Sequence, residues 1–587
     1  MGLLTRTAGA LDRRFGWDHL PKWIGILTLV GLRQRLRKEN LYNTETAPPV
    51  AATEPVPDDL LHARTTDGTY NDLSSTQMGA IGARFGRNVP LDRTFPDVDA
   101  TLLEPNPRTV SRELLTRDEF IPATTLNLLA GAWLQFEVHD WLSHGQNETA
   151  TWDLDLSDDD PWPDRPMRIP KTRRDPTSDA DQSTSQTYAT ADSHWWDASQ
   201  IYGSNADFAG AIRSGEKGKL RIDDEGLLPA DLQAHVDLQG VAANFWIGLG
   251  LLHTLFSLEH NAICDAIAAD EPSWTDDEIF GRARLTNSAL LAKIHTTEWT
   301  PAIIAHPTTK AAMNANWWGI IGKRFNRRFG RIGKGEVLSG IPGSPTDHHG
   351  VPYSLTEEFV AVYRMHPLLP DDFTFRSLEG DRLIAEHTFP EVGALQTRQR
   401  MEEIGVANGL YSFGLAHPGA ITLHNYPKFL QHLERPDGTV LDLAATDIVR
   451  VRERGVPRYN DFRELFHRGR VKSFEELTGE KEKAAELERV YGEPDRLDVM
   501  TGLYSEPLPK GFGFSDTAFR VFILMASRRI KSDRFFTRDY RPEVYSPAGF
   551  RWVRDTTMKD VLLRHYPGLE PSLRGVENAF APWNAVG

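Results

Sequence analysis

The sequence predicts a mainly α-helical protein, a large helical domain with few short strands. Long segments repeat apolar residues at helical spacing, strand signals are few, and 40% of the 587 residues are hydrophobic, which is enough for one large core. The sequence contains no internal repeat, Gly-rich phosphate loop, Gly-x-Ser-x-Gly elbow or His-Glu-x-x-His pair. These absences argue against the commonest nucleotide-binding, hydrolase and metalloprotease folds.

Five segments carry this helical pattern, and loops rich in Gly and Pro separate them. They are residues 125–142, 242–269, 276–300, 355–366 and 517–529. We divide the chain into an N-terminal helical segment (1–40), an extended arm rich in Pro, Thr, Asp and Arg (41–115), and one large domain (116–587). Within that domain, acidic runs and prolines predict that residues 151–192 form a long surface excursion rather than a core element.

The net charge of −16 predicts a surface that repels nucleic acid and anionic lipid, unless a local basic patch overrides the mean field. We therefore expect no nucleic-acid partner. Cys264 is the only cysteine, which excludes an intramolecular disulfide, a thiolate zinc cluster and a cysteine-held iron-sulfur centre. The single cysteine and the lack of a secretory cleavage signature favour a cytoplasmic location.

A short apolar run, residues 23–32, lies in the N-terminal segment. As a helix it spans only about half of a bilayer's hydrocarbon core, so it cannot cross a membrane. Two interpretations stay open. The run is either a helix docked on the body of the protein or an interfacial helix that associates peripherally with a membrane and gives access to lipid.

The first strong helix contains two polar residues, Gln135 and His139, that are four apart and therefore share a face. Asp140 lies about 100° further round the helix, where it can anchor a different group. A histidine in a Trp-rich helix is also a common hydrogen-bonded structural residue. This pair alone therefore does not establish a function.

Alternate residues of segment 193–199 offer oxygen ligands: the hydroxyls of Ser193 and Ser199, the carboxylate of Asp197 and the backbone carbonyl of Trp195. Calcium takes roughly six to eight such hard oxygens, and Asp140 can supply a further carboxylate. The alternative is a polar loop that precedes a Tyr-Gly turn.

Tyr363 and His366 lie three residues apart, close to one helical turn, before prolines end the helix. An imidazole at a helix end can ligate haem iron axially, and a phenol one turn away lies beside the same macrocycle. Without a cofactor, both side chains are core residues with satisfied polar tips.

Together these three segments resemble the animal haem peroxidase superfamily. The resemblance implies haem b with His366 as its axial ligand and His139 as the distal histidine. It also implies a calcium ion held by Asp140 and the 193–199 loop.

A further stretch, residues 442–460, resembles the superfamily's Asp-Leu-x-x-x-x-Ile-x-Arg-x-Arg signature. In this stretch Arg450 and Arg452 suit the propionates of the haem. Asn425 is expected to accept the ring N–H of His366, since metal-bound histidines are oriented by such partners.

Over almost its whole length the chain is similar to the fatty-acid alpha-dioxygenases of plants and bacteria. The segments that carry this similarity are 293–300, 315–319, 362–366 and 525–536. The similarity implies that His295, Thr300 and Arg529 hold the carboxylate of the substrate. Arg528 fits the motif almost as well, and helix periodicity allows only one of two adjacent residues to face the pocket.

The similarity further implies a haem-dependent reaction of a fatty acid with O2 that gives a 2-hydroperoxy fatty acid. Removal of a proton by a base is poorly suited to the carbon next to the carboxylate, because the negative charge of the carboxylate opposes a carbanion there. Removal of a hydrogen atom, which leaves a radical, avoids this conflict. Tyr363 is expected to carry the radical, and His139, with Gln135 beside it, is expected to relay a proton.

Two other functions stay open. A plain haem peroxidase would oxidise small donors with hydrogen peroxide, and Tyr363 would be a packed bystander. Such an enzyme has no need of His295, Thr300 and Arg529. A haem-binding or lipid-binding protein without turnover is the second alternative, and the presence of both His139 and Tyr363 argues against it.

Overall fold

Helices make up 51% of the residues that the structure describes, so the prediction of a mainly α-helical fold with few short strands is confirmed. The structure, a computed structural model, describes residues 3–45, 56–96, 99–177, 186–231, 236–237, 240, 245–435 and 438–587. The helices that frame the site are α1 (Leu3–Phe15), α2 (Lys22–Glu39), α3 (Leu128–Trp141), α4 (Ile247–Asp270), α5 (Asp276–Ile294), α6 (Gly322–Phe329), α7 (Glu357–Val362), α8 (Leu443–Glu453) and α9 (Asp516–Ser532).

Further helices connect and cover this frame. They are Asp58–His62, Asp99–Leu102, Pro107–Val110, Ser199–Tyr202, Ala206–Ala211, Thr300–Ile303, Pro307–Trp318, Glu336–Ser339, Phe389–Val392, Thr397–Ile404, Val406–Leu415, Tyr459–Leu465, Phe474–Thr478, Lys481–Tyr491, Val499–Ser505, Pro542–Tyr545, Pro547–Asp555, Met558–His565 and Glu570–Leu573.

The described strands form four short antiparallel pairs. They are β1 (Thr151–Leu154) with β2 (Met167–Pro170), β3 (Ala230–Asp231) with β4 (Val236–Asp237), β5 (Asp372–Arg376) with β6 (Leu383–Thr388), and β7 (Leu433–Glu434) with β8 (Val440–Leu441).

The prediction that residues 151–192 contribute no core element is wrong for the β1–β2 hairpin. Leu154 and Ile169 are buried in one apolar cluster with Val449 of α8. Apolar and charged residues alternate in β2, so one face of the hairpin can pack on the helix while the other faces solvent. Residues 178–185 of the predicted excursion lie outside the described part of the chain.

The buried centre of the molecule contains α3, α4 and α5. Eleven of the 14 residues of α3 are buried and they lie on every side of the helix, which is typical of a helix surrounded by protein. Gly131 of α3 lies against the backbone of Leu368, because a Cβ at this glycine would be only 3.4 Å from the Leu368 carbonyl oxygen. The glycine therefore lets α3 approach the segment that follows α7.

Two helix ends differ from the sequence prediction. α5 continues into a single π-helical turn, His295–Trp299, instead of a regular helix. α7 ends at Val362, and His366 begins a separate 3-10 turn whose second residue is Pro367. Tyr363 and His366 therefore lie on either side of a helix break, because the residue before a proline avoids the α conformation.

The N-terminal helix α2 packs on α1 and on α9. In the turn between the first two helices, Trp17 Nε1 donates a hydrogen bond to Asp516 Oδ1 of α9 at 2.7 Å. The predicted apolar run 23–32 is thus docked along one face, while Trp23 is 68% exposed and Leu27 is 58% exposed on the other. None of the helices in the described ranges is long and apolar enough to cross a membrane.

The arm of residues 41–115 connects distant parts of the large domain. Arg64 pairs with Asp197 and with Asp533, each at 2.9 Å, and all three side chains are buried. A bridge between Gly86 and Thr356 fixes the arm next to the start of α7. The arm therefore contributes contacts on which the site depends.

Candidate active site

The candidate axial ligand, His366, lies beside a buried carboxylate. Its Nδ1 is 2.8 Å from Oδ2 of Asp447 on α8, an ion pair by distance rather than an aligned hydrogen bond. Asp447 also contacts Arg364 and accepts a hydrogen bond from the Tyr426 hydroxyl at 3.1 Å. Although burial acts to raise it, Arg364 and His366 hold the pKa of Asp447 below its ordinary value. Such a carboxylate orients the imidazole and leaves its other nitrogen to a metal.

The prediction that Asn425 accepts the ring N–H of His366 is wrong. Asn425 Oδ1 accepts from Arg117 Nε at 2.9 Å and from the Ile121 backbone N–H at 3.1 Å. Its Nδ2 donates to the Ala420 carbonyl at 2.7 Å. The amide is therefore fully used in holding loop backbone together. No sequence signal distinguishes Asp447 from the other acidic residues of its helix.

Arg450 and Arg452, which were predicted at the haem propionates, have protein partners in this structure. Arg450 pairs with Glu453 at 2.7 Å and donates to the Pro170 carbonyl at 2.5 Å. Arg452 forms a two-point ion pair with Asp498, at 2.8 and 2.7 Å. Buried carboxylates already neutralise both guanidinium groups, which therefore hold α8 to neighbouring segments.

The distal candidates Gln135 and His139 lie on α3 as predicted. Within the described residues, His139 Nδ1 is buried without a hydrogen-bond partner. Burial lowers the pKa of the His139 imidazole to about 4, so the ring is neutral at neutral pH and able to accept a proton. Gln135 Oε1 accepts a hydrogen bond from Trp246 Nε1 at 2.8 Å, which fixes the amide one turn from His139.

The predicted calcium residues come together around two carboxylates. Asp140 Oδ1 accepts from the backbone N–H of Ser199 at 2.6 Å, and Ser193 Oγ donates to Asp197 Oδ2 at 2.5 Å. Burial, followed by repulsion from Asp197, raises the pKa of Asp140 to about 7. Trp195 belongs to the same turn, and its backbone N–H donates to Ser193 Oγ at 3.0 Å. The Ser199 hydroxyl is buried and has no partner elsewhere in the described chain.

The predicted carboxylate-binding residues His295 and Thr300 line a largely apolar cavity of about 270 Å³, together with Tyr363. The π-helical turn explains why two residues five apart both line it. The Thr300 hydroxyl donates to the His295 carbonyl at 2.7 Å across that turn. In a regular α-helix these residues would lie about 140° apart. The Thr300 hydroxyl therefore donates its hydrogen within the helix. It must rotate away from the His295 carbonyl before it can donate to a ligand.

The protonated nitrogen of His295 can be assigned from its partner. Trp133 Nε1 can only donate, and it donates to His295 Nδ1 at 3.2 Å. The proton of the neutral ring is therefore on Nε2. Burial, followed by the charge of Arg529, holds the pKa of His295 well below its ordinary value, so the ring is a neutral donor.

The two adjacent arginines of α9 have different surroundings. Arg528 donates to the carbonyls of Val351 and Pro352 at 2.9 and 2.8 Å. The Arg529 guanidinium is stacked between Trp141 and Trp196, with its carbon 3.5 and 4.1 Å from the two ring centroids. Nothing in the described ranges bonds to Nε or Nη2 of Arg529, although its side chain is 1% exposed. Arg528 has one buried donor without a partner in the described chain, Nε, whereas Arg529 has two adjacent ones, Nε and Nη2.

Sequence reasoning missed Glu137, which lies one helical turn from both Trp133 and Trp141 on α3. It is fully buried, and the described residues supply no hydrogen-bond partner for either carboxyl oxygen. Burial, followed by Asp140, raises the pKa of Glu137 well above its ordinary value, while Arg529 acts to lower it. The sequence signal that could have identified Glu137 was its position four residues from each of two tryptophans in a mostly apolar helix.

Comparison with known proteins identifies the family. The model described as "Animal haem peroxidase" matches residues 63–578. "Alpha-dioxygenase PIOX" of Pisum sativum is 39% identical, with 98% of this chain and 90% of that protein covered. "Alpha-dioxygenase PIOX" of Oryza sativa is 38% identical, with 98% and 94% covered. The chain belongs to the alpha-dioxygenases of the animal haem peroxidase family. The resemblance inferred from the sequence is thus confirmed.

Solved structures of this family have the same fold. The crystal structure of Oryza sativa fatty acid alpha-dioxygenase aligns with a TM-score of 0.92 at 36% identity and covers 100% of this chain and 98% of that one. The Arabidopsis thaliana enzyme aligns with a TM-score of 0.93 at 35% identity, with 100% and 94% covered. The rice enzyme was also crystallised with palmitic acid, in a form with one tyrosine replaced by phenylalanine.

Family membership implies haem, and the residues of this chain fit it. Trp141 of α3 lies 5.8 Å from Tyr363, so α3 passes close to the segment that carries His366. One of these adjoining elements offers His139 with an unpaired buried nitrogen, and the other offers an imidazole oriented by Asp447. An oriented histidine on one element and a neutral histidine on the adjoining one fit the binding of a haem.

Proposed function

We propose that the enzyme adds molecular oxygen to the carbon next to a fatty acid's carboxylate and gives a 2-hydroperoxy fatty acid. One observation carries the proposal: Tyr363 and His295 line one apolar cavity, and both contact Trp141, on which Arg529 is stacked. Arg529 does not itself line the cavity, but it is stacked on the tryptophan that contacts both lining residues. An apolar cavity with a phenol in its wall and a buried arginine close by suits a fatty acid bound by its carboxylate. The palmitic acid complex of the rice relative supports this class of substrate.

Arg529 and His295 are proposed to bind the carboxylate. Nε and Nη2 of Arg529 are the two donors that a carboxylate accepts side by side, and both are unpaired within the described structure. His295 adds a neutral donor, and Thr300 adds its hydroxyl once that group leaves the His295 carbonyl. A fixed head group makes the α-carbon the first atom that Tyr363 can reach, which sets the position of oxygenation.

Tyr363 is proposed to carry the radical. When bound, the haem would supply a one-electron oxidant, and the Tyr363 hydroxyl would give up its hydrogen atom to it. The tyrosyl oxygen then takes one hydrogen atom from the α-carbon, so the phenol is restored and a carbon radical remains. O2 adds to that radical, and the resulting peroxyl takes a hydrogen atom back from Tyr363. His139 accepts the proton of the peroxide that starts the oxidation, since burial keeps its ring neutral.

His366, Gln135 and His139 are proposed as residues that would hold haem b, with the His366 imidazole as the group that would ligate its iron. Arg364, which shares Asp447 with His366, is proposed to hold a propionate. Its Nε is buried and unpaired as far as the described residues extend. Arg364 thus replaces the two arginines predicted from the sequence.

Calcium is proposed at the 193–199 loop, with Asp140, Asp197, the hydroxyls of Ser193 and Ser199 and the backbone carbonyl of Trp195 as ligands. Support comes from the adjoining carboxylates and the unpaired Ser199 hydroxyl. Arg64 already contacts one oxygen of Asp197 at 2.9 Å, so the ion would share that carboxylate.

Elemental analysis tests the calcium proposal. Asp197→Ala should lower calcium content and haem retention together. Asp192→Ala removes a nearby carboxylate that contacts Ser204, at 2.6 Å, and should change neither. Active wild-type enzyme without bound calcium would contradict the proposal.

Oxygen uptake tests the reaction itself against the peroxidase alternative. Haem-loaded enzyme should consume O2 when palmitate is added, and product analysis should identify the 2-hydroperoxy acid. If peroxide-dependent oxidation of a small donor occurs while palmitate causes no oxygen uptake, the enzyme is a peroxidase. If neither reaction occurs in haem-loaded protein, a binding role without turnover is favoured.

A further inference from the structure

Exposed apolar side chains surround the opening of the cavity that contains Tyr363. Trp23 and Leu27 of α2, together with Ile320 and Val337, line this cavity, yet they are 68%, 58%, 55% and 44% exposed. Large apolar side chains grouped on a soluble protein's surface usually mark a contact with a partner or a membrane. The cavity therefore opens onto an apolar surface.

Helix α6 extends this surface beyond the opening. Its Phe325 and Phe329 are four residues apart, their ring centroids are 4.8 Å apart, and they are 36% and 66% exposed. Ile332 and Leu338, which follow in the chain, are 44% and 39% exposed. We call Trp23, Leu27, Ile320, Phe325, Phe329 and Val337 the entrance surface.

The charge of this region is opposite to that of the whole chain. Residues 320–338 contain six Lys or Arg and one acidic residue, Glu336, a balance of +5 in a chain of net charge −16. Glu336 is itself paired with Arg33 and Arg37, at 3.1 and 2.7 Å. Arg324 and Arg328 of α6 are exposed. A short helix with exposed rings and basic residues has the pattern of a segment that lies in a membrane interface.

We propose that the entrance surface docks on an anionic phospholipid bilayer, so that a fatty acid passes from the membrane directly into the cavity. This rests on the proposed function, because the cavity must receive an acyl chain. The basic cluster fits anionic headgroups, whereas the rest of the acidic surface is repelled by them, so the charge distribution selects this face. The apolar rings would enter the boundary between headgroups and acyl chains, next to the cavity opening.

Vesicle sedimentation with the haem-loaded full-length enzyme tests the proposal without requiring turnover. The enzyme should bind vesicles of phosphatidylcholine with phosphatidylglycerol, bind pure phosphatidylcholine vesicles at least about tenfold more weakly, and be released by salt. Phe325→Ser with Phe329→Ser should reduce binding to the anionic vesicles by about tenfold or more. Arg324→Gln with Arg328→Gln should reduce binding and also weaken its salt dependence.

Leu383→Ser with Ile384→Ser is the matched control, because these β6 side chains are 57% and 39% exposed and lie outside the entrance surface. This variant should bind like wild type. None of the α6 substitutions lines the cavity, so oxygenation of a short, freely soluble fatty acid should be unchanged while oxygenation of vesicle-borne fatty acid falls.

Three results would overturn the proposal. The first is no binding to anionic vesicles, or equal binding to neutral ones. The second is self-association that the α6 variants abolish in sedimentation velocity runs, without vesicle binding. The third is capture of an acidic protein through this surface in place of lipid. Vesicle binding by an enzyme that does not oxygenate fatty acids would instead refute the proposed function alone.

Discussion

Replacing each of the adjacent arginines Arg528 and Arg529 by methionine should separate substrate binding from folding. Arg529 has two unpaired donors and is stacked on two tryptophans, so Arg529→Met removes a carboxylate contact and keeps side-chain length. A charge-assisted hydrogen bond contributes roughly 1.5–3 kcal/mol, which corresponds to about a 10- to 150-fold rise in the fatty acid concentration needed for half-maximal rate.

The same substitution should leave thermal stability of the substrate-free enzyme unchanged or slightly higher. A buried guanidinium with unpaired N–H groups costs free energy, and methionine removes that penalty while retaining much of the contact with the rings. Arg529→Met should also lose positional control, because a loosened carboxylate lets carbons beyond the α position reach Tyr363.

Arg528→Met is the matched control, with the opposite expectation. It removes hydrogen bonds to two backbone carbonyls, at 2.9 and 2.8 Å, each worth roughly 1.5 kcal/mol or more. The expected loss is therefore about 3 kcal/mol of unfolding free energy, with little change in the fatty acid dependence of the remaining activity.

Oxygen-electrode rates over a range of palmitate concentrations, together with thermal unfolding of the haem-loaded variants, check both expectations. If Arg528→Met raises the palmitate requirement and Arg529→Met does not, Arg529 is not the arginine that binds the carboxylate. The same conclusion follows if Arg529→Met destabilises the substrate-free enzyme as strongly as Arg528→Met.

Further substitutions address the other roles. Tyr363→Phe should retain haem and fatty acid affinity but lose oxygenation; detection of the 2-hydroperoxide from this variant would exclude the radical role. His366→Ala should lower the haem absorbance of purified protein, whereas His139→Ala should keep it and lose activation by peroxide; wild-type haem content and rate in both variants would refute the haem site. Glu137→Met should stabilise the protein more at pH 7 than at pH 4. The folded-state pKa of Glu137 lies above its unfolded value, so its burial costs stability once the pH exceeds about 4.5. Urea midpoints at both pH values measure this, and an equal shift at both would contradict it.

The helical fold could be predicted from the sequence because helices depend on local periodicity, which is visible without contacts. The predicted helices at 125–142, 276–300 and 517–529 correspond to α3, α5 with its π-helical turn, and α9. Adjacent or alternating residues, such as His139 with Asp140 and those of the 193–199 loop, were also accessible, since neighbours in sequence stay close in any fold.

The roles of individual arginines and amides could not be predicted in this way. Arg450 and Arg452 carry the motif spacing, yet carboxylates from Glu453 and Asp498 neutralise them. Asn425 is likewise used by loop backbone. Whether a polar side chain is available to bind a ligand depends on whether a residue that is distant in sequence already pairs with it. Spacing along the chain does not contain that information.

The sequence by itself thus determined the family, the helices and the residue types of the site. Only the tertiary structure decided that Asp447 faces His366, that a π-helical turn aligns His295 with Thr300, and that Arg529 has two adjacent unpaired donors while Arg528 is held by backbone carbonyls. The physical reason is that motifs record chemistry and local geometry, whereas burial, pairing and the final turn of a helix depend on segments far away in the chain.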